Sequence, residues 1–279
     1  MKQTPLLTVE DLHVTFETPR GPVEAVRGVS FELRREKLGI VGESGSGKSQ
    51  TGRALLGLIA QNGRIEAKRL CFDGINLLGA DERTLRSIRG GRISMIMQDP
   101  KFSLNPVISV GDQIVEAFRV HTKASKREAR ERALAMLGAV QIRHPEHVFD
   151  AYPHEVSGGM GQRIMIAMMM IPEPDIIIAD EPTSALDVTV QLQVLAILDD
   201  MVSERGTGLL FISHDLNLVA SFCDRVLVMY AGRIVETVAA RELQSAQHPY
   251  TRGLLSCLPR IDGDGSDLPV LKRDPEWAR

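Results

Sequence analysis

The segment that most constrains this chain is a glycine-rich stretch of eight residues, Gly42-Glu43-Ser44-Gly45-Ser46-Gly47-Lys48-Ser49. An apolar run at 38–41 precedes it, and a helix-like run at 51–58 follows it. In that context the pattern G-x-x-x-x-G-K-[ST] is a P-loop, whose glycines let successive N–H groups point inward at phosphate oxygens. The positive end of the following helix adds to the same anion site. We therefore predict a strand, a phosphate-binding turn and a helix.

Two side chains at the end of this stretch have functions of their own in such a loop. Lys48 is a point charge for the β- and γ-phosphates of a nucleotide, and the hydroxyl of Ser49 is a ligand for Mg²⁺. The sequence thus predicts a P-loop nucleotide hydrolase rather than a protein that merely contains a flexible turn.

The composition excludes several classes of protein. The 279 residues are 43% hydrophobic, 25% charged and only 4% aromatic, with a net charge of −3. These values are typical of a soluble globular protein, and they provide neither the basic surface nor the stacking aromatics that nucleic-acid binding requires. No apolar run approaches the ~20 residues of a membrane helix, and the N-terminus has no signal-peptide core. We expect a cytosolic protein unless another chain holds it at a membrane.

The N-terminal region has the alternation of apolar and polar residues that is typical of strands. Residues 6–18 and 23–33 both alternate, and a Pro- and Gly-containing turn at 19–22 separates them, which predicts an antiparallel hairpin. Phe16 lies near the end of the first strand. From its position it could stack on an adenine ring or serve as a core or edge aromatic, and the pattern leaves both open.

Polar side chains follow three apolar strands of the predicted parallel sheet, where ligand-binding residues collect. Gln98 follows the run at 93–97, and His214 follows the run at 208–212. The run at 176–180 ends in Asp180 and Glu181, the Walker B form, in which the aspartate holds the Mg²⁺ shell. Glu181 can act as a base on the attacking water, and His214 can contact the γ-phosphate.

The middle of the chain predicts a helical subdomain, at about 106–171, inserted into the α/β core. Within it, Ser125 and Glu128 have the spacing of a capping box, and the following helix has an apolar face. A turn at Ser157-Gly158-Gly159 opens a later helix and is a weak anion site in principle. We predict one domain over 1–260 and a poorly ordered tail over 261–279.

Taken in order, these motifs resemble the ATP-binding subunit of ABC transporters from residue 6 to about residue 260. The set comprises the P-loop, Gln98, Ser157-Gly158-Gly159, Asp180-Glu181, Ser184-Ala185-Leu186-Asp187 and His214. Finer features are similar to the oligopeptide, dipeptide and nickel importer group: Gln98-Asp99-Pro100, Ser103-Leu104-Asn105-Pro106, Tyr152-Pro153-His154-Glu155, Met160 after the Ser-Gly-Gly turn, and His248-Pro249-Tyr250-Thr251. The resemblance implies a P-loop core with a mostly parallel sheet, an N-terminal antiparallel β subdomain and an inserted helical subdomain.

The resemblance also implies a role for each residue. Phe16 would stack on adenine, and Gly42 to Ser49 with Gln50 would hold the phosphates of ATP. Ser49 and Gln98 would ligate Mg²⁺, with Asp180 supporting its water shell, while Glu181 would activate water and His214 would stabilise the γ-phosphate. Ser157, Gly158 and Gly159 would close over ATP held by the opposite subunit, with Asp187 at the dimer seam. Gln98 would link the nucleotide state to transport.

The implied function is ATP hydrolysis that powers uptake of a peptide or related small solute. The chain would be peripheral, on the cytoplasmic face of a bacterial membrane, and would assemble with a like or unlike second ABC ATPase subunit, two permease subunits and an extracytoplasmic binding protein. Cargo alternatives are nickel or another metal chelate, an opine and a glycoside. Less favoured alternatives are a soluble ABC ATPase outside transport and a nucleotide binder that does not hydrolyse.

Overall fold

The computed structural model describes residues 4–100, 103–184, 186–257, 274 and 277. The chain folds into two compact units, the first formed by residues 1–79 and 210–279 and the second by residues 80–209. The predicted tail at 261–279 lies outside the described residues, apart from Asp274 and Trp277.

The described residues contain both β-strands and α-helices, numbered in chain order. The strands are β1 (Leu7–Thr18), β2 (Gly21–Leu33), β3 (Lys37–Val41), β4 (Gly63–Glu66), β5 (Arg69–Phe72), β6 (Ile75–Asn76), β7 (Ile93–Ile96), β8 (Ile176–Asp180), β9 (Gly208–Ser213), β10 (Arg225–Tyr230) and β11 (Arg233–Ala239). The α-helices are α1 (Lys48–Leu55), α2 (Glu82–Ile88), α3 (Val110–His121), α4 (Lys126–Ala139), α5 (Pro145–Asp150), α6 (Gly158–Met170), α7 (Val188–Arg205), α8 (Leu216–Phe222) and α9 (Pro249–Ser256).

An antiparallel sheet organised on β1 makes up the N-terminal part of the first unit. β1 pairs with β2 in the predicted hairpin, and also with β4 and β5. The pairing register shifts between Val9 and Leu12, and Asp11 between them has a left-handed φ of 54°. A bulge of this kind restores the alternation, so that Val9 and Leu12 both face the core although they are three residues apart. Sequence reasoning missed the short strands β4 and β6.

The P-loop segment of the first unit begins on a buried strand. β3 runs parallel to β10, with Leu38 opposite Arg225 and Val41 opposite Val228, and β10 pairs with β11 in an antiparallel hairpin. The helix that follows begins at Lys48, three residues before the predicted start, because Gly47 adopts a left-handed φ of 101° and serves as the N-cap. It ends at Leu55 rather than at 58, since Gly57 turns left-handed at φ 65°.

The second unit combines a buried parallel strand pair with a group of helices. β7 and β8 pair in parallel, with Ile93 opposite Ile176 and Ile96 opposite Ala179. Helix α3 packs on α4, α5 and α6, and Gly111 of α3 admits the ring of Phe149 so closely that a Cβ there would lie 2.2 Å from it. The parallel pairs β3–β10 and β7–β8, together with the antiparallel N-terminal sheet, confirm the predicted α/β class.

Helix starts in the second unit follow the capping signals of the sequence. The Ser125 hydroxyl accepts the N–H of Glu128 at 3.2 Å, so α4 begins where predicted. Its apolar face is buried as expected, at Ala129, Ala133, Met136 and the adjoining Val140. Each cap satisfies an N–H group that the first turn of a helix leaves without a partner.

None of the helices in the described part of the chain has both the length and the apolar character needed to span a membrane.

Candidate functional site

The backbone of the P-loop is wound into a shape that demands glycine. Gly42, Gly45 and Gly47 have φ values of 153°, 81° and 101°. A Cβ on Gly42 would lie 2.1 Å from the carbonyl oxygen of Met229, and one on Gly47 would lie 2.4 Å from that of Ala25. Both distances are far inside van der Waals contact, so any other residue would open the loop. The predicted glycine spacing therefore has a packing cause as well as a conformational one.

Lys48 lies at the start of α1 with its side chain folded into the loop. It is only 4% exposed, and its Nζ donates to the carbonyl oxygens of Gly42 and Glu43, at 2.8 Å each. A buried ammonium needs such acceptors, because desolvation without partners costs several kcal/mol. Ser49 and Gln50 follow in the first turn of α1, both half-buried. The loop thus gathers a cation, a hydroxyl and a helix N-terminus around one point, a combination suited to a phosphate chain.

A turn and a helix from the C-terminal part of the first unit hold the loop through hydrogen bonds. The N–H of Gly232, in the turn between β10 and β11, donates to the carbonyl oxygen of Ser46 at 3.0 Å. The N–H of Glu43 donates to the hydroxyl of Tyr250 at 3.1 Å. Sequence reasoning missed the contact of Tyr250 with the loop, because the His-Pro-Tyr-Thr segment served there only as a family marker. That segment was the one signal that could have pointed to it.

Phe16 and His214 also belong to the first unit. The half-buried ring of Phe16 lies so close to Gly63 of β4 that a Cβ on that glycine would be 2.7 Å from it. His214 is exposed and directly follows β9, and Asp215 next to it caps α8 by accepting the N–H of Leu218 at 3.1 Å. The histidine therefore occupies a strand end, as predicted.

The carboxyl ends of β7 and β8 bring two predicted residues of the second unit together. Asp180 is buried at the last position of β8, and Glu181 follows it. Because β7 and β8 are parallel neighbours, Gln98 beyond β7 reaches Glu181, and its Nε2 lies 3.4 Å from Oε2 of the carboxylate. Glu181 has a left-handed φ of 48°, an uncommon and strained conformation for a residue with a Cβ. Asp73 after β5 and Ala231 after β10 have similar φ values, so this conformation belongs to the turn that follows a strand.

The remaining predicted residues of the second unit lie at two helix starts. Ser157 caps α6 and Asp187 caps α7, where its Oδ1 accepts the N–H of Val190 at 3.0 Å. The two starts are in contact, since a Cβ on Gly159 would lie 2.8 Å from Val190 Cγ1. Ser157, Gly158 and Asp187 are exposed. A cavity of about 230 Å³ joins this region to the segment after β7, and its lining includes Gln98, Pro100, Ser157, Gly158, Gln162 and Leu186.

The structure thus gathers the predicted residues into two groups. In the first unit, residues 42–50 form an anion cradle, with Phe16 and His214 elsewhere in that unit. In the second unit, Gln98, Asp180 and Glu181 meet at two strand ends, and Ser157–Gly159 and Asp187 meet at two helix starts. The first group has the backbone shape and the cation of a P-loop, and the second presents carboxylates and a hydroxyl.

Comparison with known proteins agrees with this geometry. The sequence profile of the ABC transporter family matches residues 26–184. The chain is 50% identical over 272 residues to the oligopeptide transport ATP-binding protein OppD of Salmonella typhimurium, covering 97% of this chain and 81% of that protein. It is 46% identical over 273 residues to the dipeptide transport ATP-binding protein DppD of Bacillus subtilis, covering 97% of this chain and 82% of that protein.

A solved structure shares the fold. A dimeric ATP-binding cassette in a post-hydrolysis state, bound to ADP and Pi, superposes with a TM-score of 0.76 at 25% identity, covering 84% of this chain and 99% of that one. The predicted arrangement of a P-loop core with an antiparallel β subdomain and inserted helices is therefore confirmed.

Proposed function

Because this chain belongs to the ABC transporter family, we propose that it hydrolyses ATP to drive uptake of di- or oligopeptides across a cytoplasmic membrane. As a member of that family it binds nucleotide and is an ATP hydrolase, so the proposal concerns the cargo, the assembly and the roles of residues. The peptide cargo is inferred from the 50% identity, over 97% of the chain, to an oligopeptide transport ATP-binding protein.

Phosphate binding is assigned to the P-loop of the first unit. The glycine-rich backbone and the N-terminus of α1 present partial positive charge to an arriving anion. The ammonium of Lys48 exchanges the carbonyl oxygens of Gly42 and Glu43 for the β- and γ-phosphate oxygens of ATP. Phe16 stacks on the adenine, and Gln50 flanks the phosphates. The loop is built before the ligand binds, so little binding energy is lost in ordering it.

Magnesium is assigned to oxygen donors of the chain. Among the described residues there is no cluster of three His, Cys, Asp or Glu side chains that could hold a metal by itself. Mg²⁺ at a phosphate site takes one or two protein oxygens, with phosphates and water as its other ligands, so such a cluster is not required. The hydroxyl of Ser49, the amide oxygen of Gln98 and the carboxylate of Asp180 are donors of the right kind. The bound ion would neutralise charge on the phosphates.

Hydrolysis is assigned to Glu181. Its carboxylate takes a proton from a water whose oxygen attacks the γ-phosphorus, the bond to the bridging oxygen of ADP breaks, and inorganic phosphate leaves. The hydrogen bond from Gln98, at 3.4 Å, orients the carboxylate. His214 stabilises the γ-phosphate.

Contact with the nucleotide of a second ABC subunit is assigned to the two helix starts, at Ser157, Gly158, Gly159 and Asp187. Ser157, Gly158 and Asp187 are exposed at their helix starts and Gly159 is half-buried beside them, so an incoming partner can reach this region. The solved cassette bound to ADP and Pi is itself dimeric, which supports pairing of like domains. The full assembly would add two permease subunits and an extracytoplasmic binding protein, with this chain peripheral on the cytoplasmic face and Gln98 linking its nucleotide state to transport.

The catalytic assignment is tested with Glu181→Gln in the complex reconstituted with its permease subunits. We expect turnover to fall about 10²- to 10⁴-fold, as for loss of a general base, while ATP affinity stays within about threefold of the original. Glu204→Gln, which changes an exposed carboxylate on α7 of the same unit, is the matched control and should retain turnover. Undiminished turnover in Glu181→Gln would refute the assignment.

The cargo is tested by purifying the native complex with its binding protein and identifying the bound solute by mass spectrometry. Recovery of di- or oligopeptides supports the proposal. Recovery of nickel, a metal chelate, an opine or a glycoside instead would replace the cargo and leave the ATPase assignment intact.

A further inference from the structure

The contact between Tyr250 and the P-loop joins parts of the first unit that are 207 residues apart in the chain. The tyrosine is fully buried, and its hydroxyl accepts the N–H of Glu43 at 3.1 Å. The proposed function assigns nothing to this residue.

One peptide group is held at both ends. The carbonyl of Gly42 and the N–H of Glu43 belong to the same trans peptide and point in opposite directions. Tyr250 binds the N–H, and Lys48 binds the carbonyl oxygen at 2.8 Å. When Lys48 moves to phosphate, its bond to that carbonyl is lost, whereas the bond from the N–H of Glu43 to Tyr250 is kept and continues to fix the plane of the peptide.

The position of Tyr250 is itself fixed by a chain of contacts. Its N–H donates to Nδ1 of His248, the N-cap of α9, at 3.2 Å. The N–H groups of Gln247 and His248 donate to Oε1 of Glu236 on β11, at 2.7 and 3.3 Å. Burial alone would raise the pKa of Glu236, but Thr251 beside it and these two N–H donors outweigh that effect and hold the pKa below its usual value. The carboxylate is therefore charged at neutral pH and anchors the start of α9.

The ring of Tyr250 also packs against two other aromatic rings. The ring of Tyr250 lies 4.5 Å from that of Tyr230 at the end of β10, between ring centroids, and 5.9 Å from that of Trp277. A buried ring in contact with two other aromatic rings cannot move its hydroxyl away from the loop without losing these contacts. The hydroxyl is thus a fixed hydrogen-bond acceptor on the outer side of the P-loop.

We propose that Tyr250 is a positioning residue for ATP, whose hydroxyl fixes the Gly42–Glu43 peptide and keeps the first half of the P-loop in its phosphate-binding arrangement. This rests on the proposed placement of ATP in the P-loop. Without the hydroxyl the loop also samples other arrangements. The apparent affinity for ATP then falls in proportion to the fraction of molecules whose loop is in the phosphate-binding arrangement. Tyr250 touches no reacting atom, so the chemical step at saturating ATP is unaffected.

The test is Tyr250→Phe in the full chain, which removes one oxygen and keeps the ring. ATP binding is measured by calorimetry, with amide exchange at Glu43 and the free energy of unfolding measured on the same samples. We expect the Kd for ATP to rise about two- to tenfold, the usual range for one neutral hydrogen bond, and exchange at Glu43 to accelerate. The kcat should stay within about twofold.

Tyr230→Phe is the matched control, because it removes a hydroxyl from the same aromatic cluster and no described hydrogen bond joins that hydroxyl to the loop. It should bind ATP as the original chain does. Equal affinity of Tyr250→Phe and the original chain would overturn the inference, and so would equal weakening by both variants, which would assign the effect to ring packing. If the original chain did not bind ATP, the proposed function would fail first.

Discussion

The P-loop of the first unit differs from the strand-end and helix-start residues of the second unit in side-chain exposure and in packing. Lys48 is 4% exposed, and Gly42 and Gly47 lie against neighbouring carbonyl groups with no room for a side chain. In the second unit, Gln98, Ser157 and Asp187 are exposed and Glu181 is half-buried, and of the predicted strand-end residues there only Asp180 is buried. Backbone recognition of phosphate requires a loop that is already fixed, whereas side chains at strand ends and caps can be displayed for a ligand that comes from elsewhere. Changes in the P-loop should therefore affect ATP binding, and a change at Glu181 should affect turnover.

The largest effect is expected from Lys48→Ala. Removing the ammonium takes away charge-assisted contacts to two phosphates, and we expect the Kd for ATP to rise at least about 100-fold by calorimetry. Lys68→Ala removes the same group from an exposed position of the first unit and should stay within about twofold. Strong ATP binding by Lys48→Ala would break the contrast, since it would place binding outside the P-loop.

A smaller effect is expected from adding one methyl group to the loop. Gly47→Ala must hold alanine at φ 101° with Cβ 2.4 Å from the oxygen of Ala25, and we expect a loss of about 2 kcal/mol or more in the free energy of unfolding. Gly158→Ala in the second unit meets nothing within 4 Å and should change that free energy by less than about 0.5 kcal/mol. Equal urea-denaturation midpoints for both variants would contradict the difference in packing.

A gain in stability is expected at Gly161, in the first turns of α6. A Cβ there would lie 3.6 Å from Pro100, an ordinary contact, so Gly161→Ala should gain about 0.5–1 kcal/mol from helix propensity and packing together. Gly138→Ala in α4 meets no atom within 4 Å and isolates the propensity contribution. A loss of stability in Gly161→Ala would mean that this helix start needs glycine for a reason other than space.

The smallest effect is expected in how the free energy of unfolding falls at acidic pH, to which the carboxylate of Glu236 contributes. Because its pKa is lower in the folded chain, its charged form stabilises the fold above the pKa of the unfolded chain, and that contribution disappears as pH falls through the lower folded value. Glu236→Gln should unfold more easily at pH 7 and show a shallower loss between about pH 5 and pH 3, followed by thermal unfolding. Parallel pH profiles for both proteins would exclude a role for this carboxylate.

Much of the fold could be predicted because it depends on local patterns. The hairpin of β1 and β2, the cap of α4 by Ser125 and the strand that ends in Asp180 all follow from periodicity and short-range hydrogen bonding. Helix ends were less predictable. Helix α1 begins at Lys48, three residues before the predicted start, because of the shape of the P-loop. It ends at Leu55, three residues before the predicted end, because Gly57 turns left-handed.

In the candidate site, too, the local motifs were predictable and the contacts between distant residues were not. The motifs located Gln98 and Glu181 at strand ends, but their approach to 3.4 Å depends on β7 and β8 being neighbours, which a single sequence does not state. The left-handed backbone of Glu181 was not predictable either, since glutamate has no preference for that conformation.

By itself, the sequence determined the chemistry: a glycine-rich loop ending in Lys48 and Ser49, and a strand ending in two carboxylates, belong to phosphate transfer because few residue types can cradle phosphate or activate water. Only the tertiary structure decided what holds the loop. The bond from Glu43 to Tyr250 spans 207 residues, and contacts at that separation depend on how distant segments pack rather than on any local pattern.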